Sequence, residues 1–426
     1  MDSASAAPTS PAAPASGAGP AGASPARFTR YQVFVIAILA FLQFTVVLDF
    51  MILSPLGALL LKDLGITTKQ FGLVVSVYAF SAGASGLLAA GFADKFDRKK
   101  LLLFFYCGFV LGTLLCGLAT SYQFLLIARM VTGIFGGVIG SVSFAIITDL
   151  FPMQVRGRVM GTVQTAFAAS QILGLPVGWE LATRWSWHAP FLMIVGCAVP
   201  AGVVISMRMR PVDAHLQLKR ERSPLAHLLH TAARPRYLAG FAATVLLATG
   251  GFMLMPFGSA FSVNNLGVAL SQQSTVYLIT GIVSIVAGPL LGRLSDSLGK
   301  YALFCISTVA GMALVVYFTH LGRIPLWHVI ALNGALFACI SGRMISASAL
   351  SSGVPAMADR GAYMSINASL QQFSGGIAAS VAGLIVVQSA SGQIEHYDVL
   401  GWVVAAAMAL TILLMANVNR LVRTPA

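Results

Sequence analysis

Residues 90–100 read Ala-Gly-Phe-Ala-Asp-Lys-Phe-Asp-Arg-Lys-Lys, and residues 292–300 read Gly-Arg-Leu-Ser-Asp-Ser-Leu-Gly-Lys. Laying Asp94 on Asp296 sets the two stretches about 202 positions apart. A second echo has nearly the same spacing: Phe151-Pro152 followed by Arg156-Gly157, and Val354-Pro355 followed by Arg360-Gly361. Two echoes at one spacing define an internal repeat, so the chain is built as two similar halves. Outward from each polar stretch the sequence is apolar over span-length runs, about 20 residues being needed to cross a bilayer. These runs lie near 31–60, 71–92, 101–119, 124–148, 159–182 and 189–207, then near 237–261, 271–292, 301–319, 326–350, 362–388 and 399–419. Lipid cannot satisfy exposed backbone groups and no strand-like alternation is present, so each run is read as a helix. The fold expected is an all-α membrane protein with twelve transmembrane helices in two pseudo-symmetric bundles of six.

Composition agrees. Hydrophobic residues make up 57% of the 426 and charged residues only 9%, against about 25% charged in soluble domains. The formal charge is +13, but the basic residues sit in short runs between apolar stretches rather than on one face. That pattern excludes nucleic acid as a partner and reports membrane topology instead. With the N-terminus placed in the cytoplasm, twenty Lys and Arg fall on the inside and four outside, namely Lys62, Lys69, Arg184 and Arg323. Both termini are therefore expected in the cytoplasm, in a bacterial-type inner membrane. Residues 1–29, rich in Ala, Ser, Pro and Gly, are expected to be disordered. Bundles are expected over 30–207 and 237–420, with a cytoplasmic linker at 208–236 and a short tail at 421–426. The linker reads equally as an amphipathic surface helix or as a solvated connection. The five cysteines fall in apolar runs without metal-ligand spacing, so no metal, cofactor or disulfide is expected.

The 90–100 stretch resembles the cytoplasmic loop motif of the major facilitator superfamily, with Ala90 and Asp97 standing where that motif has glycine. The resemblance extends over residues 30–420. It implies a conformational latch built from Asp94, Lys95, Arg98 and Lys99, echoed by Asp296 and Lys300. Arg129-Met-Val-Thr-Gly133-Ile-Phe-Gly136-Gly137 resembles the fourth-helix motif of proton-coupled members. Gly174-Leu-Pro176-Val-Gly178 resembles a loosened copy of the fifth-helix antiporter motif. Gly133, Gly174, Pro176 and Gly178 are thereby implied in helix packing. Trp185-Ser-Trp187-His188 at the sixth span also resembles the twelve-span drug:proton antiporter branch. The implied activity is proton-coupled export of drugs or small metabolites.

A charge in hydrocarbon costs at least about 2.5–3.5 kcal/mol on insertion scales, so it marks a partner or a function. Three ionisable residues lie well inside spans: Asp49, Arg129 and Arg343. Asp49 and Arg129 both fall in the outer half of antiparallel helices, at 1.5 Å of rise per residue. They are expected to meet. Removal from water favours the neutral acid, while a neighbouring guanidinium favours the carboxylate. A conformational change in either makes protonation depend on state, which assigns proton coupling to this pair. Arg343 has no acid within the membrane in its own half, which makes it a candidate to hold an anionic group of the substrate or to close the cavity against Asp49. Tyr78, Gln164, Asn367 and Gln371 are expected to bind substrate, with Phe252 and Phe257 as an aromatic wall. The partners expected are a small-molecule substrate, protons and the bilayer, with the chain acting as a monomer. A proton-coupled importer of an organic anion and a non-transporting sensor stand as alternatives. With no nucleotide loop, nucleophile elbow or metal cluster in the sequence, an enzyme is not expected.

Overall fold

The computed structural model describes residues 28–213, 216, 224–356 and 359–423, without the side chains of residues 90, 94, 153, 154, 157, 168 and 224–226. Residues 1–27 of the stretch expected to be disordered, residues 424–426 of the terminal tail and the side chain of Asp94 lie outside that description. The first half comprises α1 (Arg30–Asp63), α2 (Thr68–Phe92), α3 (Arg98–Gly117), α4 (Tyr122–Leu150), α5 (Met153–Ala169), α6 (Leu175–Arg184) and α7 (Ala189–Arg208). A short helix, α8 (Pro224–Ala232), leads to α9 (Pro235–Leu254), α10 (Gly258–Asn264), α11 (Leu270–Leu298), α12 (Lys300–Thr319), α13 (Leu326–Ser351), α14 (Arg360–Ile385) and α15 (Tyr397–Arg423). α5 and α6 together form the fifth span, and α9 and α10 the seventh.

Among the described residues, ten helices are long and apolar enough to cross a membrane by length and composition. The other two expected spans fall short for separate reasons. The fifth is broken by a π-helical turn, Ser170–Gly174, immediately before Pro176 near the start of α6. Proline has no N–H to donate and crowds the preceding turn, and a π turn absorbs that defect without ending the helix. α14 is unbroken over 26 residues, but Asn367, Gln371, Gln372 and several serines dilute its apolar character. One element goes beyond the all-helical expectation: a two-stranded antiparallel ribbon, Val387–Gln388 with Ile394–Glu395, joins α14 to α15. Within the linker the described residues include the short helix α8. α8 buries Leu228 and Thr231 against the bundle and leaves Leu229 exposed.

Local chemistry sets the helix ends. Thr29 and Thr67 each form a capping box, with Gln32 and Gln70, which satisfies two otherwise orphaned amides per helix. The repeat stretches differ at their turns in an informative way. Gly299 adopts φ +91° before α12, a conformation open mainly to glycine. The first half instead has Asp97 at φ −55°. There its carboxylate caps α3 by accepting from the amide of Lys99 at 2.8 Å and from that of Val212 at 3.1 Å. The motif's glycine is thus replaced by a different solution to the same turn.

Three apolar clusters show how the halves meet. One lies wholly within the first half and one wholly within the second, both toward the end of the bundle that holds the termini. The third is shared by both halves and sits at the opposite, distal end. Hydrogen bonds close that end. Thr68 Oγ1 donates to the carbonyl of Val386 at 2.6 Å, Trp179 Nε1 to that of Leu270 at 2.7 Å, and Ser259 Oγ to that of Ser54 at 3.0 Å. Ser54 Oγ in turn donates to the carbonyl of Met255.

Small residues allow the close approach. A Cβ on Gly137 would lie 2.5 Å from Ala82 Cα and carbonyl oxygen, backbone atoms of α2 that cannot swing away. Gly137→Val should therefore destabilise the bundle by about 1–3 kcal/mol through overpacking. A lowered thermal unfolding midpoint in detergent would register it. Gly161→Ala, where nothing lies within 4 Å, should cause no loss.

Candidate functional site

Asp49 stands well along α1 and is fully buried, and Arg129, two turns into α4, is 1% exposed. Arg129 Nη1 donates to Asp49 Oδ2 at 2.8 Å and lies 3.4 Å from the Asp49 carbonyl oxygen. Thr113 of α3 donates its hydroxyl to Asp49 Oδ1 at 3.1 Å. Both carboxylate oxygens are thereby engaged, one by a cation and one by a neutral donor. The Arg129 guanidinium also lies over the ring of Tyr78, 4.3 Å from its centroid, where the ring's negative face attracts it. Its Nε has no hydrogen-bond partner. Four helices converge here, and α2, α3 and α4 approach closely because α3 and α4 carry glycines at the contact. A Cβ on Gly112 would collide with Thr132, and one on Gly133 would lie 2.5 Å from the carbonyl of Tyr78.

The pair adjoins the boundary between halves. Phe50, next to Asp49, packs on Tyr78 at 5.3 Å between centroids and on Phe252 of the second half at 5.7 Å. Phe50 and Phe252, with Ser54, Val75, Met255 and Pro256, line a small cleft between α1, α2 and α9. The cleft, about 10 Å³, has room for no more than a water, and Phe50 stands between it and the ion pair.

The other sequence-derived residues scatter. Tyr78 is 2% exposed and serves Arg129 rather than an open surface. Asn367 Oδ1 accepts from Thr244 Oγ1 at 2.6 Å and ties α14 to α9. Gln164 is exposed on α5, and Gln371 half-buried on α14. Phe252 faces the cleft, but Phe257 is buried edge-on against Phe71 at 5.7 Å. Gly174 and Gly178 face α1, where a Cβ would lie 2.5 Å from Leu48 and Ile52 respectively. Arg343, on α13, is 6% exposed and far from the pair in sequence terms, and its Nε and Nη2 are buried without partners.

At the terminal end, Arg98 bonds Asp149 at the end of α4 at 3.2 Å and the carbonyl of Ala93 at 3.0 Å. Lys99 Nζ donates to the carbonyl of Ser206 at 2.9 Å. Lys95, Asp296 and Lys300 are exposed. In the second half the buried charge contact is instead Asp359 with Arg234, reinforced by the Tyr237 hydroxyl at 2.7 Å. Sequence reasoning missed Thr113, Phe50, Asp149 and Asp359. Only the two acids carried a signal, each standing at the edge of an apolar run beside a repeat echo.

Comparison with known proteins converges on one family. The profile described as Major Facilitator Superfamily matches residues 39–379. An uncharacterized MFS-type transporter of Bacillus subtilis, YceJ, is 26% identical over 274 residues, 64% of this chain and 68% of that protein. A probable sugar efflux transporter of Mannheimia succiniciproducens is 24% identical over 284 residues, 66% of this chain and 67% of that protein. Multidrug resistance protein 3 of Bacillus subtilis is 33% identical over 136 residues, 32% of this chain and 26% of that protein. Among solved structures, an inward-facing, unoccupied bacterial homologue of the human lysosomal transporter Spinster aligns with a TM-score of 0.68 at 15% identity. It covers 94% of this chain and 100% of that one. The nucleoside transporter NupG aligns at 0.72 and 13% identity, over 90% and 99% of the two chains.

Proposed function

Because the chain belongs to the major facilitator superfamily, we propose that it is a proton-coupled exporter of a small organic solute, with Asp49 as the proton carrier. The observation that carries this reading is the ion pair itself. A fully buried carboxylate held by one arginine and one hydroxyl has two stable forms. Charged, it keeps Arg129; protonated, it keeps Thr113 and releases Arg129. Any movement of α1 against α4 shifts the balance between them. Movement of the halves changes the Phe50–Phe252 contact and hence the surroundings of α1 beside Asp49. Proton and solute then compete through one helix, which is the requirement for exchange.

The distal seal suits such a cycle. Its inter-half hydrogen bonds are each worth about 1 kcal/mol net, so the closed and open states stay close enough in energy to interconvert. Arg98 with Asp149 and Lys99 with the carbonyl of Ser206 serve as the latch of the terminal end, proposed as cytoplasmic from the Lys and Arg distribution. Export is favoured over import by the relatives named as efflux and multidrug-resistance proteins and by the Gly174–Gly178 sequence.

The test is proton flux in vesicles reconstituted with the protein and loaded with a pH-reporting dye. Sugars, lipophilic cations and organic acids are added to one side in turn. Proton movement opposite to an added solute is the expected result. Movement in the same direction would make the protein a symporter, and solute-independent silence across a panel that the protein binds would remove proton coupling altogether.

A further inference from the structure

The internal repeat reaches the proton site and stops short of it. Leu53-Ser-Pro55-Leu-Gly57 in α1 matches Leu254-Met-Pro256-Phe-Gly258 about 201 positions later. Four residues before Leu53 stands Asp49, and four before Leu254 stands Gly250. The second half therefore has a bare backbone where the first half has its buried carboxylate. An arginine is nevertheless found beside that backbone, 214 positions after Arg129 and so off the repeat register. Arg343 reaches from α13 to this point, and a Cβ built on Gly250 would lie 3.9 Å from Arg343 Nη1. Arg129 has a carboxylate, a carbonyl and an aromatic face close by. Among the described residues Arg343 has the ring of Phe304, 5.9 Å from its centroid, and the thiol of Cys339 one turn away on α13, and makes no hydrogen bond. Ser346, one turn along α13, is fully buried with its hydroxyl also unpartnered. Of the described carboxylates of the second half, Asp296, Asp359 and Asp398 stand at helix ends and Glu395 lies in the ribbon strand Ile394–Glu395.

A guanidinium keeps its charge at any accessible pH. Buried without an anion, it is a standing cost, and no carboxylate among the described residues is paired with it. We propose that the gap between Gly250 and Arg343 is a carboxylate-binding subsite, and that the transported solute is a small organic carboxylate. Its anionic group takes in the second half the place that Asp49 fills in the first. Nη1, the guanidinium nitrogen facing Gly250, receives it, and the unpartnered hydroxyl of Ser346, one turn along α13, is a neutral donor on the same helix. Gly250 leaves bare backbone at that spot, where a Cβ would make ordinary contacts with Val404, Met408 and Arg343 at 3.6–3.9 Å. The assignment rests on the chain being a transporter, but not on Asp49 carrying protons.

The experiment reads binding without any gradient. Thermal unfolding of the purified protein is followed with acetate, benzoate and succinate, each against its neutral amide. The acids and not the amides should raise the unfolding midpoint of the wild type. Arg343→Gln should weaken the best acid on the order of 10²-fold, yet raise the midpoint of the unliganded protein, because it removes an unpaired charge. A merely structural arginine would lower that midpoint on removal. Gly250→Asp supplies the carboxylate in place. Its Cβ meets Val404, Met408 and Arg343 at 3.6–3.9 Å, ordinary contact distances. It should stabilise the unliganded protein and abolish the response to acids. Indifference of the wild type to all three acids would overturn the proposal. So would an acid response that survives Arg343→Gln. Because no proton gradient enters, a negative outcome here leaves the Asp49 reading intact, and failure of proton coupling leaves this subsite intact.

Discussion

Asp49→Asn is expected to reduce proton-driven transport to the level of protein-free vesicles while leaving solute-for-solute exchange in place. The two readouts part because they use different steps of the cycle. Exchange needs the halves to reorient around bound solute and needs no proton. Driven transport needs a group that gains a proton on one side and loses it on the other, and asparagine has none. The substitution is mild in other respects. Its Oδ1 can still accept from Arg129 Nη1, the contact now made by Asp49 at 2.8 Å, and its volume is nearly that of Asp. Loss of both activities together would point to a folding defect. Retention of proton-driven transport would remove Asp49 from the coupling step; the other described carboxylates of the spans, such as Glu180 and Asp149, stand near span ends.

What could be read from sequence divides along physical lines. The fold was legible because a bilayer leaves few choices: a run of apolar residues must close its own backbone hydrogen bonds, and helices do so. Asp49 and Arg129 were legible for the same reason, since a charge amid twenty apolar residues stands out. Their meeting followed from helix rise and direction. Thr113 and Phe50 were not legible, because a hydroxyl or a phenyl ring in such a run is ordinary until its neighbours are known. The polar side chains picked for the substrate show the converse. Asn367 and Tyr78 were conspicuous, yet one bonds Thr244 and the other supports Arg129. A polar group in a span marks a need for a partner without telling which partner fills it. The break in the fifth span was hidden because Pro176 argues for a kink, but not for the π turn that resolves it. The vacancy at Gly250 was hidden because a glycine in a helix is silent until Arg343 is found beside it.

The buried pair should also show an asymmetry under mutation. Asp49→Leu removes the only carboxylate from a guanidinium that is 1% exposed and cannot discharge. Breaking a buried pair from one side typically costs about 3–5 kcal/mol, and this substitution should fall in that range. Arg129→Met leaves Asp49 instead, and a carboxylate can take up a proton and keep its bond to Thr113 as a neutral acid. Its cost should be clearly smaller. The double variant, Asp49→Leu with Arg129→Met, leaves neither charge behind and should recover most of the loss. Such recovery is known where apolar residues of similar volume replace an ion pair. Unfolding midpoints in one detergent, compared across the four proteins, measure the coupling directly. Additive losses would mean that the two residues do not act as a unit, despite their 2.8 Å separation. A larger loss for Arg129→Met than for Asp49→Leu would mean that Asp49 stays charged when alone. A carboxylate that cannot accept a proton at that site could not carry one across the membrane, so this stability measurement tests the transport mechanism without a transport assay.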